Sequence, residues 1–293
     1  MKILLTGAHG QVGSSLASLA VSRGIEVVAY GRDTLNVCDI QAVRAAVHDI
    51  KPQLVVNAAA YTAVDNAEGH PEAAFLVNRD GPAHLASTCA EFGLPMIHLS
   101  TDFVFDGCSR EGYTETHKIS PLGVYGKSKW QGEQEVEHRL KRHLILRVSW
   151  VFSSRANNFV RTILRKAQEH EELRVVCDQR GCPTAAFDIA TTVLRLASKM
   201  EHHRDVRWGT YHFCGTPATT WFEFAKAIVA EAQRYSSLAV RRIVPVSSDE
   251  FPTRAPRPAN SVLVCDRLGS EFGIVPSPWR PALQRVLKEI YGD

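Results

Sequence analysis

The sequence predicts an α/β protein built on a doubly wound parallel sheet, with a smaller lobe supplied by the later part of the chain. Three observations predict it. An apolar amino-terminal stretch runs straight into a glycine-rich turn and a helix-like segment; the alternation of strand and helix recurs as far as residue 150; and the rhythm then breaks.

Residues 2–6 read as a short buried strand, Gly7, Gly10 and Gly13 follow, and residues 12–23 carry apolar side chains at helical spacing. The pattern returns as a strand over 25–30, a helix over 39–50, a strand over 54–57, a long helix over 71–92 and a strand over 95–100. A polar, glycine-containing loop then leads to a helix over 126–140 and a fifth strand over 144–149. Right-handed crossovers put helices on both faces of such a sheet and a ligand site at the carboxyl ends of its strands, where the glycines stand. Beyond Trp150 the signals mix: helix 158–169, strand 173–177, helix 186–200, a strand 211–214 able to return to the main sheet, helix 221–233 and a Pro-rich loop over 251–258. The expected division is a sheet domain of residues 1–150 plus roughly 183–215, and a lobe of roughly 151–182 and 216–293.

Composition narrows the function. The 293 residues are 45% hydrophobic and 22% charged, as in an ordinary globular protein, and 34 basic against 31 acidic residues leave a net charge of only +3. That is no nucleic-acid footprint, and Arg139, Lys141 and Arg142 read as the solvated end of a helix. Seven cysteines, an odd number without a Cys-x-x-Cys pair, fit a reduced cytoplasmic chain without a structural metal. Residues 3–22 lack formal charge, but Gly7, Gly10, Gly13 and Gln11 interrupt them, so neither a signal peptide nor a membrane span is expected.

The chemistry concentrates in a few places. Gly7-Ala8-His9-Gly10-Gln11-Val12-Gly13 is a variant dinucleotide fingerprint, in which backbone approaches a pyrophosphate and a helix amino terminus faces it; a bare tight turn is the bland alternative. The second strand ends in Tyr30-Gly31-Arg32, whose guanidinium suits the 2′-phosphate of NADP(H), while Asp33 keeps NAD(H) open. Asp39 reads as a helix cap or as a contact to the adenine end. Residues 57–62 follow the third strand with small side chains at 58–60, as backbone passing beside a cofactor needs, or as simple packing would give. Tyr125 and Lys129 stand four apart and so share a helix face, where an ammonium can stabilise a phenolate; an amphipathic helix with an exposed lysine would have the same spacing. Thr101 closes the fourth strand at the same sheet edge, where its hydroxyl can bond a substrate carbonyl.

Taken with 56–65 (Val-Asn-Ala-Ala-Ala-Tyr-Thr-Ala-Val-Asp), 100–107 (Ser-Thr-Asp-Phe-Val-Phe-Asp-Gly), 147–151 (Arg-Val-Ser-Trp-Val), 178–184 and 257–261 (Arg-Pro-Ala-Asn-Ser), these motifs make the chain resemble the extended short-chain dehydrogenase/reductases nearly end to end. Within them it is similar to the branch that reduces the C4 ketone of dTDP-4-dehydro-L-rhamnose to dTDP-L-rhamnose. The resemblance implies a Rossmann-type sheet and NADPH, with NADH possible, as hydride donor. It implies Tyr125 as proton donor, Lys129 on the nicotinamide ribose and Thr101 orienting the ketone. It also implies cofactor contacts at Gly10, Gln11, Val12, Asp39, Ala59, Ala60 and Tyr61. Substrate contacts are implied at Thr62, Val64 and Trp150, and Arg257 is a candidate for the diphosphate. Some members dimerise through Mg²⁺ held by acidic side chains; Ser14, Ser15 and Phe187 stand at such positions here, so a monomer or weak homodimer without bridging Mg²⁺ is expected. The alternatives are another nucleotide-sugar ketoreductase, a dehydratase or epimerase, and a non-catalytic subunit like the regulatory β subunit of methionine adenosyltransferase. Phe103 after Asp102 removes the general base that the dehydratases use.

Overall fold

The structure, a computed structural model, describes residues 1–202 and 205–292. Its first half runs β1 (Lys2–Thr6), α1 (Gln11–Ser22), β2 (Glu26–Tyr30), α2 (Ile40–Ile50), β3 (Leu54–Asn57), α3 (Val64–Gly69), α4 (Pro71–Phe75), α5 (Gly81–Glu91), β4 (Met96–Thr101), α6 (Val124–Arg139) and β5 (His143–Val148). The second runs β6 (Val151–Phe152), α7 (Phe159–Glu169), β7 (Glu172–Val176), β8 (Arg180–Gly181), β9 (Thr184–Ala185), α8 (Ala186–His202), β10 (Gly209–Phe213), β11 (Thr219–Thr220), α9 (Trp221–Ala232), β12 (Arg242–Val246), α10 (Asp266–Phe272) and α11 (Trp279–Tyr291).

The doubly wound parallel sheet expected from the sequence is present. It has six strands in the order β2-β1-β3-β4-β5-β10, and every pair is parallel. β3, β4 and β5 are buried along their whole length, so their Leu, Ile and Val residues pack on both faces, and polar side chains among them such as His98, Ser100 and Arg147 are buried with partners. Ile3, Leu5 and Ile97 meet α1 and α8 on one face, and Leu4, Val55 and Ile145 meet α2, α5 and α6 on the other. Asp39 caps α2, its Oδ1 accepting from the amides of Gln41 and Ala42 at 2.9 and 3.2 Å.

The second half builds a separate core. Phe152, Ile163, Leu173, Phe224, Trp279 and Leu287 pack together, drawn from β6, α7, β7, α9 and α11, with Ile243 of β12, the parallel partner of β7, packed against them. The sequence reading did not foresee β12, α10 or α11. Leu268 and Phe272 of α10 join the core of the large sheet, so the segment after residue 216 divides between the two cores.

The helix expected over 71–92 is also broken. Leu76–Asp80 forms a π-helical turn, in which the Gly81 amide returns to the Leu76 carbonyl. Pro82 has no N–H to give the carbonyl of Asn78, so the regular ladder cannot close there. The freed turn holds Asn78, fully buried, whose Oδ1 accepts from the Tyr61 amide at 2.8 Å and whose Nδ2 donates to the Tyr61 carbonyl and the Ser128 hydroxyl, both at 3.0 Å. A residue between the sequence motifs thus ties the loop after β3 to α6.

Candidate active site

β2 and β3 lie on opposite sides of β1, so the chain changes direction there and a crevice opens at the carboxyl ends of β1 and β3. Gly7 turns the chain at this point with φ +75°, and a Cβ on it would come within 2.4 Å of the Ala58 carbonyl carbon. Only glycine lets the two loops meet. Gly10 caps α1 without any side-chain hydrogen bond, which leaves the first-turn amides of Gln11 and Val12 open to an anion.

Three neighbouring cavities make one cleft. The first, about 370 Å³, is lined by Gly7, Gly10, Arg32, Ala59, Ala60 and Tyr61; Asp33 and Asp39 do not line it. The second, about 430 Å³, shares Gly10 and Ala60 and adds Gln11, Val12, Thr62, Val64, Thr101, Tyr125, Lys129 and Trp150. The third, about 480 Å³, shares Trp150 and Trp221 and runs into the lobe past Phe159, Arg174, Gln179 and Arg257. Gly13 lies buried inside α1, behind the loop. Gln11 also reaches the second half of the chain: Nε2 donates to the Val151 carbonyl at 3.4 Å, and Oε1 accepts from the Ser153 hydroxyl at 2.9 Å.

Tyr125 and Lys129 both sit on the buried face of α6, as their spacing requires, but the expected electrostatics differ. Burial pushes the Tyr125 phenol up to about 12; the adjacent Thr101 hydroxyl works against this and the charge of Asp102 adds to it. Lys129 does not lower it, because its ammonium points to β4 instead, donating to the Leu99 carbonyl at 2.7 Å. Burial brings Lys129 down to about 8, opposed by Glu133 one helical turn on.

The Thr101 hydroxyl is likewise committed. It donates to Asp102 Oδ1 at 2.9 Å and accepts from the Phe103 amide at 3.2 Å, so it must rotate away from Asp102 before it can donate to a ketone. Asp102 is buried, which holds its carboxyl up at about 6 against the nearby hydroxyls of Ser261, Thr101 and Ser149. Its Oδ2 has no hydrogen-bond partner.

Trp150 follows β5 with φ +44°, a left-handed value rarely adopted by a bulky residue. Its Nε1 donates to the Ser261 hydroxyl at 3.1 Å, and Trp221 stacks on the ring at 3.4 Å between centroids and 5° between planes. Gly181 lies against the same indole; a Cβ there would come within 2.3 Å of Cε2. The sequence reading missed Trp221, whose partner is set by tertiary packing and leaves no local pattern. Arg257 lines the lobe cavity, but its guanidinium is taken. Nη1 and Nη2 each donate to Asp65 at 2.6 Å, which holds the Asp65 carboxyl below its ordinary value, so the expected free cation for a diphosphate is a neutralised pair joining the Pro-rich loop to the first turn of α3.

Comparison with known proteins agrees with this architecture. The family model described as the RmlD substrate binding domain matches residues 1–291. The dTDP-4-dehydrorhamnose reductase of Sinorhizobium fredii is 40% identical over 289 residues, covering 98% of this chain and 97% of that protein. The crystal structure of a Clostridium acetobutylicum dTDP-4-dehydrorhamnose reductase superposes with a TM-score of 0.92 at 33% identity, covering 99% of both chains. That of the Bacillus anthracis dTDP-4-dehydrorhamnose reductase in complex with NADP gives 0.91 at 34% identity, covering 98% of this chain and 99% of that one.

Proposed function

The chain belongs to the dTDP-4-dehydrorhamnose reductase family, and on that premise we propose that it is the NADPH-dependent oxidoreductase that reduces the C4 ketone of dTDP-4-dehydro-L-rhamnose to dTDP-L-rhamnose. The observation that carries the reading is one cleft that joins the uncapped amino terminus of α1 to Tyr125, Lys129 and Thr101 and then to the tryptophan wall of the lobe.

The residues present fit the cofactor. Gly7 leaves a cradle that a Cβ would fill, the free amides of α1 suit a pyrophosphate, and Arg32 stands at the far cavity, where a 2′-phosphate would lie. When bound, NADPH supplies the hydride. Tyr125, neutral because burial holds its phenol near 12, delivers the proton to the ketone oxygen. Lys129 holds the nicotinamide ribose, and Thr101, once turned from Asp102, orients the ketone. Trp150, fixed by Trp221 and Ser261, offers its remaining surface to the substrate together with Thr62 and Val64.

The test is NAD(P)H oxidation by the purified protein with dTDP-4-dehydrorhamnose generated in situ. Turnover is expected with NADPH ahead of NADH. Arg32→Ala is expected to weaken NADPH on the order of tenfold while leaving NADH nearly unchanged, as loss of one charge-assisted contact predicts. Cofactor binding without any turnover would overturn the reading, and equal losses for both cofactors would remove the role of Arg32.

The same reading makes the protein a monomer or weak homodimer without bridging Mg²⁺. Ser14, Ser15 and Phe187 line a surface hollow in which the Arg285 guanidinium lies 4.1 Å from the Phe187 ring centroid, and the acid lining it, Glu289, is already paired with Arg285. Sedimentation should give the same mass in Mg²⁺ and in EDTA, and a dimer lost on chelation would refute this.

A further inference from the structure

Behind Lys129, away from the cleft, a line of buried polar side chains crosses the sheet. Thr6, Asn57, His98 and Lys129 are each no more than 2% exposed. Asn57 Oδ1 accepts from the Thr6 hydroxyl at 2.8 Å and from the Ala59 amide at 3.0 Å. A backbone N–H can only donate, so the atom facing Ala59 is the oxygen and the orientation of the amide is settled. The Asn57 Nδ2 then faces His98 Nδ1 at 3.0 Å and must donate to it. His98 Nδ1 is therefore the bare nitrogen, and a neutral ring carries its proton on Nε2. Nε2 lies 3.5 Å from Lys129 Nζ.

We propose that Asn57 fixes His98 in its Nε2–H tautomer, and that His98 is thereby a positioning residue that turns a donor toward Lys129 and favours its neutral amine. An ammonium has three donors and no acceptor, so it gains nothing from an opposing N–H, whereas a neutral amine accepts from it. Leu99 takes one Lys129 donor through its carbonyl, and Glu133 on the same helix favours the charged form. His98 opposes Glu133, and the balance keeps the Lys129 proton exchangeable as Tyr125 gives up and regains its own.

The other ionisable groups around this line are accounted for. Tyr125 lies one turn before Lys129, and Asp102 stands beyond the end of β4 beside Tyr125. From β5, Arg147 pairs with Glu133, and the His143 Nδ1 bonds the Leu140 carbonyl. Of the elements packed on the rest of α6, α3 gives Asp65, paired with Arg257, and Glu68, bonded to the Val124 amide; α4 gives Glu72, exposed; the π-helical turn gives Arg79 and Asp80, paired with each other; and α5 gives His84, on the Val37 carbonyl, and Glu91, paired with Arg44.

The first test needs no variant. In protein labelled with ¹⁵N-histidine, His98, assigned by through-bond correlation from its Cβ, should show a protonated Nε2 and a bare Nδ1. A bare Nε2, or protons on both nitrogens, overturns the proposal. The second uses Asn57→Asp, whose carboxylate can only accept and so draws the ring proton to Nδ1. The Lys129 titration, followed by NMR in ¹³C-lysine-labelled protein, should then move upward by about one pH unit, a tenfold change. In a His98→Gln background the same substitution should give a much smaller shift; an undiminished shift would mean a direct charge effect and would overturn the route through His98. The role assigned to Lys129 in turnover belongs to the proposed function and is read separately, from the basic limb of kcat. If the titration moves and the limb does not, that role fails while the assignment of His98 stands.

Discussion

Tyr125→Phe is expected to lower kcat by about 10²- to 10⁴-fold, the range for loss of a positioned proton donor, while the Kd for NADPH stays within about twofold. The substitution keeps the ring, and with it the edge-to-face contact with Phe103 at 5.5 Å between centroids. Only the hydroxyl is lost, and none of the groups that cradle the cofactor changes. Burial also dictates the pH behaviour. With its phenol held near 12, Tyr125 carries its proton throughout the working range, so its own ionisation sets no limb of the profile below pH 9. Lys129, brought down to about 8, loses its charge as pH rises through that value, and kcat should fall with it. Stopped-flow turnover from pH 6 to 10, with cofactor binding by fluorescence quenching, checks both statements. Undiminished turnover in Tyr125→Phe would remove the assigned donor, and a profile still level at pH 9.5 would remove Lys129 as the titrating group.

How far the site was legible depended on whether a residue acts through local geometry. The glycine loop could be read because backbone curvature and a helix start impose a spacing, and Tyr125 with Lys129 because one helix face does. The same rule would have found Glu133, the next residue on that face, had the spacing been followed one turn further. What could not be read is set across the chain. The Thr101 proton is committed to Asp102, and the Arg257 charge is cancelled by Asp65; neither shows until the fold brings the partners together. The fold divides in the same way. The buried strands were legible as apolar runs, whereas α11, half exposed at the end of the lobe, mixes charged and apolar residues, and its pattern acquires a buried side only once α9 is in place.

The largest effect on stability is expected at a residue that touches neither cofactor nor substrate. Arg147 and Glu133 are 2% and 0% exposed, and they pair through two parallel bonds, Nε to Oε1 at 2.9 Å and Nη2 to Oε2 at 2.6 Å, with the Ser100 hydroxyl as a further donor to Oε1. Arg147 Nη1 also reaches His212 Nε2 at 3.3 Å, while the opposite ring nitrogen, 3.0 Å from the Tyr113 carbonyl, must carry the His212 proton. Burial, with the Arg147 charge, pushes His212 down to about 3, so the ring is neutral at any working pH. Arg147→Met should therefore cost about 3–5 kcal/mol, because it leaves the Glu133 carboxylate buried with one hydroxyl in place of a guanidinium. The matched change Glu133→Leu with Arg147→Met should recover most of that loss, since a well-packed apolar pair of similar volume avoids the desolvation that the ions incur. Protonation relieves an orphaned carboxylate, so the deficit of the single variant should be smaller at pH 5 than at pH 8. Denaturant unfolding of wild type, single and double variants at the two pH values separates these terms. A single variant within about 1 kcal/mol of wild type at pH 8 would show that the pair stabilises little beyond its packing. A double variant no better than the single would place the loss in the shape of the core instead of in the buried charge.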